Sequence, residues 1–569
     1  MSKLLSRASP CVLLLALAAC ATSAPPSPGP VAVAPGAART NYGLYLAGQA
    51  AQDSGDAHAA AEFFAQAQAA DPAEGFIKER AFTAALMAGD VSGAAAMAPA
   101  AGEGAAGTRA AAVLTQAVEA LASGRGADAY AALQDPAVAG SEPAMLLKPW
   151  AAAAAGRLKD SLTLPDTPNR LVRMISQVDE ALLLERAHRF GEAETNFKAL
   201  MRDSAAQAFV FPVFGGFLER RGRSKEAVDL YDQLLRQEPD DSVLLEARAR
   251  AAAHRKPPAA PTLREGAALA LMGPAAESIS EHQPGDGLVY LRLALRLDPG
   301  RSDAWLLAGS LIEQQGDMRA AREAYASITL KSPRYAEART RLAWTYQAED
   351  KPAALKIARE TVAARPDSAV AKLNLAELLR DDGQFEEAAR VLDPVIAAAG
   401  DRADWRLYYM RAVSLERSGR WPDAERDLQK ALQVQPDQPE VLNYLGYSWV
   451  NRGERVTEGL AMIQRAVDAQ PDEGAYVDSL GWAQYRLGRY ATAVETLERA
   501  VSLDAGDAEI NDHLGDAYWR VGRKDEARFQ WTAVLTMKPD DEIKARAEAK
   551  LASALGPDYS GAPSVVASQ

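Results

Sequence analysis

A chain of 569 residues exceeds one ordinary domain, so it holds several domains or an extended array. Its formal charge of −13, with 24% charged residues, argues against nucleic acid as a main partner, because phosphate binding needs a basic face. Alanine dominates the apolar fraction and aromatics make up only 7%, which suits closely packed helices better than a β-sandwich.

The two cysteines, Cys11 and Cys20, both lie near the N-terminus, so the body holds neither a disulfide framework nor a cysteine metal site. Residues 1–19 read as an export signal. Lys3 and Arg7 supply a positive start, "CVLLLALAA" is an apolar run too short to span a bilayer, and small residues precede Cys20. One reading is an ordinary signal peptide cleaved a few residues later. The motif "LAAC", Leu17 to Cys20, however resembles a bacterial lipobox, which implies that Cys20 becomes the acylated first residue of the mature chain. Several acyl chains on one residue anchor stably, since each buried methylene contributes about 0.8 kcal/mol. Ala21 follows the cysteine, and the resemblance then implies sorting to the outer membrane of a Gram-negative bacterium, facing the periplasm. Loss of Lys3 and Arg7 leaves 61 basic against 76 acidic side chains, a net −15, so lipid and not protein charge must hold the membrane. Residues 20–40 form the lipidated cysteine and a Pro/Ala-rich tether without amphipathic period, a semi-rigid spacer of roughly 60 Å at about 3.1 Å per residue.

Beyond the tether the sequence repeats. Glycines recur at Gly383, Gly419, Gly453, Gly488 and Gly522, separated by 36, 34, 35 and 34 residues. Prolines recur at Pro299, Pro333, Pro366, Pro436, Pro471 and Pro539, every gap within two residues of a multiple of 34. Between them a helix-period segment carries a small pair such as Leu445-Gly446, Leu480-Gly481 or Leu514-Gly515. A glycine turn follows, then a small residue (Ala388, Ala424, Ala493 or Ala527) and a second apolar helix ending at proline. The turn glycine ends the first helix, the small residues let two helices approach closely, and the proline stops the second.

This order resembles the tetratricopeptide repeat, a 34-residue helix pair. Trp305, Gly309, Gly316, Ala321, Tyr325 and Pro333 carry it. So do Gly48, Gly55, Ala60, Phe64, Ala67 and Pro72 at one end, and Phe211, Gly215, Gly222, Ala227, Tyr231 and Pro239 between. The resemblance implies an all-α superhelical solenoid of antiparallel helix pairs. Residues 138–170 fit the pattern poorly, and "HRKPPAAPT" at 254–262 reads as a break. The body therefore divides into an Ala-rich N-terminal arm at 41–253, the break, a regular C-terminal array at 263–552 and a disordered tail at 553–569.

Catalytic signatures are missing, and the sequence reads as a non-enzyme without cofactor or metal. The histidines His58, His188, His254, His282 and His513 show no metal-ligand spacing, and there is no P-loop, dinucleotide fingerprint or nucleophile elbow. His513 follows Asp512, but adjacent residues on a helix do not face each other, so that pair offers no general base.

In a tetratricopeptide array the first helices line a concave groove that receives peptides or partner helices. Counting each first helix from its start, positions 2, 5, 9, 12 and 13 face that groove. Position 9 holds Trp344, Tyr447 and Trp482; position 12 holds Tyr485 and Trp519; position 5 holds Tyr409, Asn443 and Asp478. Position 13 holds Arg417, Asn451, Arg486 and Arg520, a ladder one repeat apart. Aromatics with Arg and Asn are the composition of protein-binding surfaces. The alternative is that these side chains pack between neighbouring repeats. The Ala-rich arm is assigned to homodimerisation or spacing.

Residues 442–501, with "DAEINDHLGDAYWRVGRKDEARFQWTAVL" after them, resemble more specifically the large tetratricopeptide lipoproteins of Gram-negative outer membranes, the LbcA and NlpI adaptor type. The similarity covers about 405–540 and elsewhere rests on architecture. It implies an adaptor that binds a periplasmic carboxyl-terminal processing protease and presents peptidoglycan hydrolases to it. A second reading is an assembly factor for an envelope machine, a pilus, secretion or polysaccharide-export complex, with that complex's subunits as partners.

Overall fold

The computed structural model describes residues 40–99, 106–202 and 207–553. Cys20, the export signal, the tether up to residue 39 and the tail from residue 554 lie outside them. Every regular element among the described residues is helical, and successive helices pair as antiparallel hairpins. The chain divides into two compact units between Pro366 and Asp367.

The first unit contains the expected arm and the first three pairs of the regular array. Residues 254–262 carry no helix. Helix Leu263–Ser280 beyond them nevertheless packs on helix Glu142–Ala154, where Gly266 leaves room for the fully buried Trp150 ring. One continuous apolar core therefore runs from Phe82 to Leu297. The first hairpins also swing back onto later ones. Arg296 holds Glu119 through two hydrogen bonds of 2.8 and 3.0 Å, and Arg319 reaches Asp56 at 2.8 Å. Within this core Asp179 is 1% exposed, and neither of its oxygens meets a hydrogen bond of normal geometry. Burial holds its carboxyl well above the usual carboxylate range, offset only in part by the Trp150 indole N–H.

The second unit is a regular stack of five pairs, whose first helices are Ala369–Asp381, Trp405–Arg417, Pro439–Arg452, Gly474–Arg486 and Ala508–Arg520. A single helix, Asp541–Ala552, closes it. The small residues that recur in the sequence sit where the pairs cross. At Gly515 a Cβ would stand 2.4 Å from the Trp531 indole nitrogen, so only a hydrogen lets the fully buried Trp531 ring lie across the first helix. At the turn, Gly488 has φ 75°, the left-handed conformation that ends helix Gly474–Arg486.

Candidate functional site

The concave side of the second unit is identified by contacts between alternate repeats. The Tyr447 hydroxyl donates to Glu509 at 3.3 Å, across the intervening helix Gly474–Arg486. First helices two repeats apart approach only if they lie inside the curve. Burial, with Glu509 and Asp478 beside it, pushes the Tyr447 phenol well above its usual value.

Asp478, Trp482 and Tyr485 share this wall, but they are 5%, 3% and 5% exposed and so are not the open surface the register suggested. Three rings form a stack. Trp482 lies 4.9 Å from Tyr485 at an interplanar angle of 8°, and 4.1 Å from His513 of the next repeat at 14°. His513 Nδ1 meets both Asp478 oxygens, at 3.0 and 2.9 Å. Burial opposes charge on the imidazole, but the Asp478 carboxylate, with Glu509 and Asp512 behind it, outweighs that and raises the His513 pKa. The Tyr485 phenol is pushed up to about 12 by burial and Asp516, against the opposing hydrogen bond from Arg520.

The position-13 ladder is present, and each arginine leans on the preceding repeat. Arg486 donates to the Asn451 carbonyl at 3.0 Å, Arg520 Nε donates to the Tyr485 hydroxyl at 3.1 Å, and Arg417 lies over Phe385 at 5.1 Å. Arg417, Asn451 and Arg520 remain exposed. Trp519 is half-buried against Trp531 of its own pair, with ring centroids 5.5 Å apart. Trp344 is half-buried and belongs to the first unit.

An open aromatic wall spans the two repeats before helix Gly474–Arg486. Tyr409 is half-buried between Trp405, 6.1 Å away, and Tyr444, which it meets edge-on at 5.6 Å. The Tyr409 hydroxyl has no hydrogen-bond partner among the described residues, and the buried Asn443 amide oxygen has none either. Burial raises the Tyr409 pKa, so its hydroxyl keeps its proton and stays a donor. The Tyr409 hydroxyl, set in an aromatic surface, suits the backbone of an extended or helical segment.

Sequence reasoning missed a buried ionic cluster at the far end of the same face. Lys550 Nζ stands 2.8 Å from both Asp512 oxygens and 2.7 Å from Asp516. Arg546 lies 3.5 Å from Asp512. The signal was present in the repeat spacing. Asp512 follows Asp478, and Asp516 follows Trp482, by 34 residues; Arg546 and Lys550 follow Asp512 and Asp516 by the same 34. Groove positions 5 and 9 therefore change from acid to base in one step of the register. Among the described residues no group of three or more His, Cys, Asp or Glu side chains is placed to hold a metal ion. No helix there is long and apolar enough to cross a membrane.

Curved stacks of helix pairs with an inner wall of this kind define a class, the protein-interaction scaffolds. Models of the tetratricopeptide repeat match residues 309–369, 409–474 and 479–542, and a further one matches 346–408. Residues 309–542 are tetratricopeptide repeats. The TPR repeat-containing protein PA4667 of Pseudomonas aeruginosa is 28% identical over 141 residues, which cover 25% of this chain and 23% of that protein. The match thus spans less than a quarter of that relative's length. Among solved structures, the APC/C hetero-tetramer Cut9–Hcn1 is similar with a TM-score of 0.37 and 14% identity, over 90% of this chain and 96% of that one. A tetratricopeptide protein of Parabacteroides merdae gives 0.32 and 14%, over 48% and 95%. YrrB, described as a TPR protein with an unusual peptide-binding site, gives 0.26 and 18%, over 34% and 97%.

Proposed function

We propose that this protein is a scaffold of the Gram-negative envelope, anchored in the outer membrane through Cys20 and facing the periplasm. It gathers protein partners on the concave face of its second unit, a carboxyl-terminal processing protease and peptidoglycan hydrolases among them. The observation that carries the binding role is the wall of Trp405, Tyr409 and Tyr444, whose Tyr409 hydroxyl has no hydrogen-bond partner among the described residues. Aromatic area combined with unused hydrogen-bonding groups is what a partner segment needs. The lipobox "LAAC" and the resemblance of residues 442–501 to envelope adaptors support the location and the partner class. The remaining groove candidates of the second unit, Arg417, Asn451, Arg486, Trp519 and Arg520, serve here as flanking contacts.

Affinity capture from membranes tests this reading. A processing protease and cell-wall hydrolases are the expected co-purifying proteins; subunits of a pilus, secretion or export complex in their place would establish the assembly-factor role. Cys20→Ser releases the protein from the membrane fraction, and continued tight association would refute the lipid anchor. Cleavage of protein or glycan by the purified chain alone would overturn the scaffold reading.

A further inference from the structure

The last helix, Asp541–Ala552, is attached differently from the helices it stacks behind. By repeat spacing it stands where the first helix of a further pair would stand. Helices Gly474–Arg486 and Ala508–Arg520 bury ten and nine of their thirteen residues. The closing helix buries two of twelve, Ala547 and Lys550, with Ile543 and Leu551 partly covered at its flanks. What holds it is charge. Asp512 and Asp516 are 1% and 0% exposed, and Lys550 meets both. Buried carboxylates side by side need cations or water, so the seat is built for positive charge. Lys550 lies in the last turn of its helix, where the helix dipole also favours a cation.

We propose that helix Asp541–Ala552 is a displaceable strap over a docking site for a partner helix carrying two cations one turn apart, the spacing of Arg546 and Lys550. This rests on the reading of the concave face as the partner-binding surface and names one segment chemistry for it. A covalently joined strap has an effective concentration of the order of millimolar, so the Lys550 ion pairs with only a small apolar contact keep the site closed. A partner helix with larger apolar residues in place of Ala547 buries more surface on the Trp531 side and displaces it.

The test uses the full chain, hydrogen exchange and a synthetic peptide of residues 540–553. In the unmodified protein, amides of 541–552 exchange at least about tenfold faster than those of 508–520, as expected of a locally opening segment. Lys550→Met keeps the stem and removes the charge. In that variant exchange over 541–552 accelerates by a further factor of about ten while 508–520 changes less than about twofold. The peptide binds this variant at a concentration about tenfold below that needed for the unmodified chain, because no native strap competes. A peptide carrying Arg546→Glu and Lys550→Glu does not bind. Equal exchange of the two helices in the unmodified protein, joint acceleration of both in the variant, or failure of the native peptide to bind either protein would each overturn the strap. All three readouts are internal to the chain, so they succeed or fail independently of partner capture.

Discussion

His513 and Asp478, 35 residues apart, form a buried ion pair at 2.9 Å, with the His513 ring stacked on Trp482 at 4.1 Å. The pair joins two successive first helices on the inner wall. Its chemistry makes the stability of that end depend on pH.

The His513 pKa is raised in the folded chain above its ordinary value of about 6.5, so the pair's contribution is complete below that pH and is lost as pH rises through the folded value. Thermal unfolding of the second unit followed from pH 6 to pH 9 therefore shows a fall in stability on the alkaline side. His513→Gln and Asp478→Asn flatten that part of the profile; an unchanged profile in both would remove the pair as its source.

Asp179 acts in the same direction, beginning at a lower pH. Its raised pKa means that the folded chain favours the neutral acid, so stability declines as pH climbs above the ordinary carboxyl range of about 3.9. Asp179→Leu removes a buried carboxyl and is expected to stabilise the protein by about 1–3 kcal/mol at pH 8. The gain shrinks at acid pH. Denaturant unfolding at the two pH values measures it, and a destabilised variant at pH 8 would show that the carboxyl has a partner.

Gly515→Ala raises helix propensity by about 1 kcal/mol but puts a methyl into the Trp531 ring, an overpacking cost of about 1–3 kcal/mol. The net effect is expected to be destabilising, visible as faster hydrogen exchange across 508–534. Gain of protection there would mean that the pair has slack at this crossing.

Trp482 and the Tyr409 wall separate folding from binding. Trp482→Ala opens the ring stack and costs about 3–5 kcal/mol, lowering the unfolding midpoint whatever the partner. Tyr409→Ala with Asn443→Ala touches a half-buried surface with unused polar groups, so helicity is kept while partner capture weakens about tenfold or more. Capture unaffected by the second change would move the binding surface elsewhere on the chain.

The sequence by itself determined the helix pairs, because their constraints are local to one repeat. A left-handed turn demands glycine at Gly488, and a tight crossing demands it at Gly515, so both leave a mark every 34 or so residues. Only the tertiary structure decided how open each groove position is. Trp482 is sealed by a ring from the next repeat, whereas Tyr409 keeps a free hydroxyl, although both stand in groove register. The partners of Asp478, Asp512 and Asp516 likewise come from helices 34 to 38 residues onward. Periodicity names the helix face on which a side chain lies. How far successive repeats curl toward one another sets which charges meet there and which rings are covered.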